Sequence, residues 1–181
     1  ATGTISSTGA LTLQPNASDE TIGLGGGSGN FNLADAEILL LTNGFSSITI
    51  GRTNGTGAID IGSTTFTDPV TIQSGGGGAI TVTGALTAGA GNAITIDAGS
   101  SSFTQNDFDI ATGGGGDITI TADTIAIADN TGNNALSSTG ALILQPDTTG
   151  QTIGIATGSG TFSLSADEIG DIADGFSSIT I

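Results

Sequence analysis

Short runs in which apolar and polar residues alternate recur along the whole chain. The clearest occupy residues 10–13, 47–50, 58–61, 79–82, 93–96, 117–120 and 124–127. Alternation with a period of two, rich in β-branched residues, predicts β-strands. Within each run the two aliphatic residues should point to one face of the strand, and the residue between them to the other face.

Glycine-rich segments separate these runs, at residues 25–27, 75–78, 89–91 and 113–116. Glycine adopts a positive φ at little cost, so these segments are predicted to form tight corners. Helix signals are nearly absent. Only residues 33–41 could hold a helical turn or two, and their Thr, Asn and Gly surroundings argue against it. The chain is therefore predicted to be all-β.

A long internal repeat organises the sequence. Residues 5–50 align without a gap with residues 136–181, and 26 of these 46 positions are identical. The offset of 131 predicts one full long repeat at residues 1–131 and the start of the next at residues 132–181, in one continuous array without a separate domain. We therefore expect the sequence to continue past Ile181 with a segment resembling Gly51-Arg52-Thr53.

The strands are nearly interchangeable in chemistry, which favours a parallel β-solenoid over a β-sandwich. In a solenoid the strands stack in register, with Ile on Ile inside and Thr on Thr outside. A repeat of this length is also too large for a seven-stranded sandwich module. About three strands per coil gives roughly 20 residues per coil and six or seven coils per long repeat. The seven aromatic residues are expected to fill wide corners of the interior: Phe31, Phe45, Phe66, Phe103, Phe108, Phe162 and Phe176.

The charge is strongly one-sided, because 17 acidic residues face a single basic residue, Arg52. A net charge of −16 repels nucleic acid and anionic lipid headgroups, so neither is an expected partner. The acids could attract divalent cations, or they could form a solvated surface that prevents aggregation. No run of about 18 apolar residues is present, so membrane insertion as a helix is not expected. No positively charged start precedes an apolar stretch as in a signal peptide, and without Cys there is no disulfide or thiol chemistry.

Catalysis is not expected from this composition. Enzymes built on β-helices combine clustered carboxylates with basic or Tyr side chains, and this chain has one Arg and neither His nor Tyr. Glycoside hydrolysis needs only two carboxylates. The candidates are Asp107 and Asp109, or Asp167 and Glu168 with Asp171. We interpret these acids as turn and surface residues, so no catalytic residue is assigned.

A metal or cofactor site is not expected either. The nonapeptide calcium repeat reads Gly-Gly-x-Gly-x-Asp, whereas residues 113–116 place Asp117 one position too early and no tandem copy follows. The isolated acids Asp19, Glu20 and Asp123 could bind Ca²⁺ weakly at the surface.

Outward-facing Thr residues raise ice binding as an alternative function. Each strand, however, offers one Thr between two Ile rather than a Thr-x-Thr pair on one face, and Asp60 interrupts the series Thr49, Thr81, Thr95 and Thr119. The unequal spacing of the strands also argues against a flat, regular Thr lattice. Thr is in any case a favourable residue for the outward face of a strand.

Four features together resemble a known group of surface proteins: Gly-Ala-Leu-Thr-Leu at 9–13, strands like Gly-Ala-Ile-Thr-Val, Gly-Phe-Ser-Ser-Ile-Thr-Ile-Gly at 44–51, and the absence of Cys. The whole chain is similar in composition and period to the repeat regions of large secreted bacterial adhesins of the filamentous-haemagglutinin type and related β-strand-repeat proteins. The resemblance carries no catalytic or binding motif.

The resemblance implies a right-handed parallel β-helix, export to the extracellular cell surface, and a stalk or fibre role in adhesion or matrix. The implied partners are further copies of the repeat stacked end to end, as in a homo-filament, and a host or matrix surface. Two alternatives stay open. One is a ligand-binding β-solenoid for ice or polysaccharide, and the other is a polysaccharide-degrading β-helix enzyme.

Overall fold

The computed structural model describes residues 3–128 and 135–181. In this part of the chain the fold is all-β, with parallel strands stacked in sheets, as the sequence predicts. The strands are β1 (Ala10–Leu13), β2 (Ile22–Leu24), β3 (Phe31–Leu33), β4 (Ser47–Arg52), β5 (Ile59–Ile61), β6 (Thr64–Phe66), β7 (Val70–Ser74), β8 (Ile80–Val82), β9 (Leu86–Ala88), β10 (Ile94–Asp97), β11 (Ser102–Asn106), β12 (Ile110–Thr112), β13 (Ile118–Thr121), β14 (Thr124–Ala128), β15 (Leu136–Ser137), β16 (Ala141–Gln145), β17 (Ile153–Ile155), β18 (Phe162–Leu164) and β19 (Ser178–Thr180). The helices are α1 (Asp35–Ile38) and α2 (Ala166–Gly170).

Most strands pair with the strand three places further along the chain. One sheet has seven strands in the order β1-β4-β7-β10-β13-β16-β19, and a second has four in the order β15-β12-β9-β6. A third sheet has six strands in the order β14-β11-β8-β5-β2-β3, and β17 pairs with β18. Each strand run predicted from alternation lies in one of these sheets, and in the seven-stranded sheet two other strands intervene before the chain returns.

The register in the seven-stranded sheet keeps like side chains together. Ile48 lies opposite Val70, which lies opposite Ile94, and Ile94 lies opposite Ile118. The stretch of chain between two such partners is here called a layer, and these three successive layers are nearly equal in length. Stacking of aliphatic on aliphatic and Thr on Thr is therefore confirmed from β1 to β13, whereas Thr119 of β13 lies opposite Ile143 of β16.

The predicted number of layers is too high. The first layer, from Leu11 to Ile48, is much longer than those that follow it. One long repeat, from β1 to its equivalent β16, therefore adds five strands to the seven-stranded sheet rather than six or seven. The estimate from the sequence fails because it treats all layers as equally short.

The core lies on the inward faces of the sheets. Ile50, Ile72, Ile96 and Ile120 have no exposed surface, while the residues between the inward positions are half-buried. Burying an aliphatic side chain of this size contributes about 1.5–3 kcal/mol. Each layer therefore depends on its neighbours to cover it.

The aromatic residues only partly follow the prediction. Phe45, Phe66, Phe103 and Phe162 are buried, and Phe31 and Phe176 pack against the core with part of their surface exposed. Phe108 does not fill an interior corner, because it lies on the turn after β11 and is 42% exposed. Its carbonyl oxygen instead accepts a hydrogen bond from the Gln105 side chain.

The long repeat of the sequence is also a repeat of structure. The elements β1, β2, β3, α1 and β4 recur as β16, β17, β18, α2 and β19. Individual hydrogen bonds recur as well. The amide of Thr42 donates to the Ile5 carbonyl at 2.9 Å, and the equivalent amide of Ala173 donates to the Leu136 carbonyl at 3.0 Å.

The helix α1 corrects the expectation that residues 33–41 would not form a helix, and α2 is its equivalent in the second repeat. Each has a glutamate that accepts a hydrogen bond from the amide three residues earlier: Glu37 from Ala34 at 3.0 Å and Glu168 from Ser165 at 2.7 Å. In α2 the Ser165 hydroxyl returns this contact by accepting from the Glu168 amide at 3.2 Å. Such a capping box satisfies amides that a helix start leaves without partners, so even one turn is stabilised.

The long first layer differs from the others because the chain here moves one strand against the direction of stacking, a segment that we call the back-step. After β2 the chain turns within residues 25–30 and runs parallel again as β3, with Phe31 opposite Ile22. β3 lies on the side of β2 that faces away from β5. The loop packs so tightly that a Cβ on Gly29 would lie 2.1 Å from the Gly23 nitrogen. Glycine is thus required where the loop crosses its own strand.

We expect Gly29→Ala to lower the free energy of unfolding by about 1–3 kcal/mol, because the added methyl group overpacks the back-step. Urea denaturation followed by circular dichroism measures this change. Gly115→Ala is the matched control, since its Cβ would meet only the Thr139 hydroxyl, at 4.0 Å. Equal stability of the two variants would contradict the requirement for glycine at residue 29.

Candidate functional site

The acids singled out as a catalytic pair lie on turns and make structural contacts. Asp107 and Asp109 are exposed between β11 and β12. The Asp107 amide donates to the Ala128 carbonyl at 3.0 Å, and the Leu86 amide donates to the Asp109 carbonyl at 2.9 Å. These backbone contacts join neighbouring layers.

The second candidate group surrounds α2. Both carboxylate oxygens of Glu168 accept backbone hydrogen bonds, Oε2 from Ser165 at 2.7 Å and Oε1 from Ile127 at 3.2 Å. The Asp171 carbonyl accepts from the Ala135 amide at 2.9 Å, and Asp167 is exposed in the first turn of the helix. Glu168 therefore caps the helix and attaches it to β14.

The residues considered for calcium are not gathered into one site. Within the described residues no group of three or more Asp, Glu, His or Cys side chains is placed to hold a metal ion. Asp19 and Glu20 lie on the turn after β1. Asp117 accepts a hydrogen bond through Oδ1 from the Ala141 amide of the next layer, at 2.7 Å.

Asp123 anchors the turn that follows β16. Its Oδ1 accepts hydrogen bonds from the amides of Thr148 at 2.8 Å and Asp147 at 3.1 Å, and its Oδ2 accepts from the Thr148 hydroxyl at 2.5 Å. Burial raises the pKa of Asp123, but hydrogen bonding outweighs that effect and lowers the pKa below its ordinary value of 3.8. The donors are the Thr148 hydroxyl and amide, the Asp147 amide and the Gln151 side chain.

The single basic residue is also used structurally. The Arg52 guanidinium donates from Nη1 to the Pro15 carbonyl at 3.1 Å and to the Asn16 carbonyl at 3.4 Å, and from Nε to Asn54 Oδ1 at 3.1 Å. It thereby holds the turn after β1 against β4. The turn after β1 is thus held by the cationic side chain of Arg52, and the equivalent turn after β16 by the anionic side chain of Asp123.

A row of threonines runs across the outward face of the seven-stranded sheet. Neighbouring strands place these residues directly opposite one another: Thr12, Thr49, Thr71, Thr95 and Thr119, followed by Ile143 and Thr180. Adjacent strands are about 4.8 Å apart, so the hydroxyls form a regular line. We call this line the threonine row.

The structure removes two of the three sequence objections to a regular Thr surface. Asp60 does not interrupt the threonine row, because Asp60 and Thr81 pair with each other in the six-stranded sheet. The unequal spacing does not disturb the row either, since the additional residues of the long first layer form β3 and α1, outside the seven-stranded sheet. Sequence order alone could not reveal this, because neighbouring strands along the chain belong to different sheets.

A polar cleft lies beside the glycine-rich loop of the back-step, with a volume of about 580 Å³. The Asp60 carboxylate connects two parts of its lining, because it accepts hydrogen bonds from the Thr83 hydroxyl at 2.6 Å and from the Ser28 amide at 2.7 Å. The cleft is lined by Thr21, Ser28, Gly29, Asn30, Ala58, Ile59, Asp60, Thr81 and Thr83. These hydroxyl, amide and carboxylate groups suit a polyhydroxylated ligand.

Apolar surface is exposed at the two ends of the stack. At the C-terminal face, formed by the open edges of β17 and β19, Ile153 is 46% exposed and Ile179 is 51% exposed. At the N-terminal face, formed by β1, β3 and α1, an apolar opening of about 230 Å³ lies between Ile5, Leu13 and Leu40.

Compared with known protein families, with curated proteins and with solved structures, the chain finds no match. No helix within residues 3–128 or 135–181 is long and apolar enough to cross a membrane.

The pKa of Asp123 leads to a prediction about acid stability. Because its folded-state pKa lies below the unfolded-state value, the ionised carboxylate stabilises the fold above pH 3.8, and this stabilisation is lost as the pH falls through the folded-state pKa. We therefore expect Asp123→Asn to lower stability at pH 7 and to flatten the loss of stability below pH 3.8.

Thermal unfolding measured from neutral to acidic pH checks this expectation. Asp174→Asn is the control, because it removes an equal charge from an exposed residue in the part of the chain equivalent to Asn43. Parallel pH profiles for the wild type and Asp123→Asn would show that the carboxylate does not hold the turn.

Proposed function

We propose that this chain is a structural repeat segment of an extracellular bacterial fibre or adhesin stalk, without catalysis. The observation that carries the proposal is the return of every third strand to the same sheet with like side chains in register. In the proposed form the sheets close into a right-handed parallel β-helix with three strands per coil. Such a stack lengthens with the number of repeats and keeps a constant cross-section.

The internal repeat supports this proposal by providing its own comparison. Ile22 is 3% exposed where β5 pairs with β2, whereas its equivalent Ile153 is 46% exposed. Likewise, Ile48 is 1% exposed beneath β7, whereas Ile179 is 51% exposed. The same residues are therefore core residues when a further layer follows, as expected for a fibre built by stacking.

The acidic surface supports an extracellular, non-aggregating role. A net charge of −16 disfavours nucleic acid as a partner and keeps neighbouring fibres apart. The proposed partners are further copies of the repeat along the fibre axis and a host or matrix surface. The extracellular location rests on the resemblance to secreted bacterial adhesins.

Lengthened variants test the proposal directly. Appending one additional copy of residues 51–181 after Ile181 continues the repeat without a break in its period. We expect the molecule to lengthen by about 24 Å, from five strand spacings of about 4.8 Å, with an unchanged cross-section in small-angle X-ray scattering.

A lengthened variant whose cross-section grows, or whose copies scatter as separate beads, would contradict a continuous β-helix. For the location, an antibody against the chain should label fibres on intact cells of the producing organism. Labelling confined to lysed cells would exclude the stalk role while leaving the architecture untouched.

One observation favours a second candidate function, ice binding. The threonine row places five Thr residues, from Thr12 to Thr119, on successive strands of a parallel sheet before Ile143 interrupts it. Ordered hydroxyls on an outward sheet face are what an ice-binding surface requires. If this function is correct, the chain should produce thermal hysteresis in an osmometer, and Thr95→Leu should abolish it.

Thr104→Leu is the matched control, because Thr104 is an equally half-buried outward residue of the six-stranded sheet. Under the stalk function we expect no hysteresis from the wild type or from either variant. Hysteresis lost only in Thr95→Leu would replace the stalk role with ice binding.

A further inference from the structure

The polar cleft beside the back-step is enclosed by paired strands and by a loop that covers one of them. Its floor is formed by β5 and β8, which pair with each other and lie between β2 and β11 in the six-stranded sheet. Its wall is the glycine-rich loop of residues 25–30, which lies over the outward face of β2. The cleft therefore lies on the side of the layers.

Tight packing and a hydrogen bond hold the wall of the cleft in place. A Cβ on Gly23 would overlap the Gly27 carbonyl group, and a Cβ on Gly27 would overlap the Asp60 carbonyl group. The Asn32 side chain also donates to the Gly27 carbonyl at 2.9 Å. Because the wall is fixed before a ligand arrives, binding costs little conformational entropy.

The Asp60 carboxylate is the main hydrogen-bond acceptor of the cleft. A carboxylate has about four lone-pair sites, two on each oxygen. Oδ1 accepts from the Thr83 hydroxyl and Oδ2 from the Ser28 amide, so within the described residues each oxygen keeps one further site. The protein thus orients both oxygens, and together they can receive two neighbouring hydroxyl groups of a ligand.

Neutral polar groups surround this carboxylate. Thr81 lies directly opposite Asp60 on the neighbouring strand and is half-buried. Asn30 is exposed on the wall. Among the described residues, neither the Thr81 hydroxyl nor the Asn30 side chain has a hydrogen-bond partner. A hydroxyl and an amide side chain both donate and accept, so each can bind a ligand hydroxyl in either sense.

The lining selects among classes of ligand. It contains no Lys, Arg or His, and the chain carries a net charge of −16, so an anionic ligand is disfavoured. Ile59 is only 1% exposed, which leaves Ala58 as the apolar contact, so an apolar ligand has little surface to pack against. A neutral ligand with many hydroxyl groups satisfies both the carboxylate and the neutral groups around it.

We propose that this cleft binds a neutral saccharide of the size of a disaccharide. Two adjacent hydroxyls of one sugar ring donate to the Asp60 carboxylate, and Thr81 and Asn30 bind further hydroxyls. The cleft volume of about 580 Å³ is typical of sites for small molecules. The inference goes beyond the stalk function and does not depend on it, because the site lies within one molecule.

The internal repeat retains the hydroxyl groups of the wall. Residues 156–161 form the equivalent loop, and Ser159 stands where Ser28 stands in the first repeat. The hydroxyls of Thr21 and Thr152 accept the corresponding amide hydrogen bond, each at 3.1 Å. The first two residues of the loop differ between the repeats, so these hydroxyls are kept while adjacent positions change.

Isothermal titration calorimetry of the full chain tests the proposal with four neutral disaccharides: cellobiose, maltose, lactose and mannobiose. EDTA is present throughout, so that no divalent cation bridges the sugar and the carboxylate. We expect at least one of the four to bind, with one molecule per chain. Digalacturonate should not bind, because its charge is repelled by the acidic chain.

Two substitutions locate the site. Thr81→Val removes a hydroxyl while nearly keeping the side-chain shape, and should weaken binding by about fivefold. Asp60→Asn exchanges an acceptor oxygen for a donor and should weaken binding by at least about tenfold. Thr104→Val is the matched control, because Thr104 is an equally half-buried outward residue of the same sheet outside the cleft lining. Circular dichroism verifies that each variant is folded.

The lengthened variant provides an independent count of sites. Its appended residues bring second copies of Asp60, Thr81 and Thr83 next to the loop of residues 156–161. The number of disaccharides bound per molecule should therefore rise from one to two.

The outcomes separate this inference from the proposed function. The saccharide site is overturned if none of the four disaccharides binds at up to about 10 mM, or if Thr81→Val and Asp60→Asn leave binding unchanged. Binding of spermidine in place of the disaccharides would assign the cleft to cationic amines and equally overturn it. The stalk function then still stands if the lengthened variant extends as a rod. Binding by the original chain without such extension would retain the site and remove the stalk.

Discussion

Parallel, in-register pairing between strands three places apart is the constraint on which the rest of the structure depends. A single layer cannot cover its own aliphatic residues, because the strands on either side of it provide the contacts. Ile72 is fully buried only because Ile50 and Ile96 lie directly above and below it. Stability in such a fold is the sum of many nearest-neighbour contacts rather than the property of one central core.

This constraint fixes the register of the strands but not the length of the segments that connect them. The layers between β4 and β16 are short, whereas the two layers that contain a back-step and a helix, Leu11 to Ile48 and Leu142 to Ile179, are much longer. Both kinds of layer bring the chain back to the same register. The additional residues of the long layers form β3 with α1 and β18 with α2, all outside the seven-stranded sheet, so the register of that sheet is kept.

Local features could be predicted from the sequence because they depend on local chemistry. The alternation in residues 47–50 or 117–120 fixes which side chains face inward, and the structure confirms it. The neighbours of Thr81 could not be predicted, because they depend on which strand lies beside it in space. The same limit explains the wrong number of layers. The helix at α2 could have been found from Ser165 and Glu168, whose spacing is that of a capping box.

The back-step has a consequence for the form of any longer array. Over one long repeat, the described part of the chain places β3, β2, β5, β8, β11 and β14 on one side, and β1, β4, β7, β10 and β13 on another. The first side is taller by one strand, or about 4.8 Å. That difference in height has to be taken up as a bend or a shear towards the shorter side. Since the back-step recurs once per repeat, an array of these repeats would curve with the period of its own sequence.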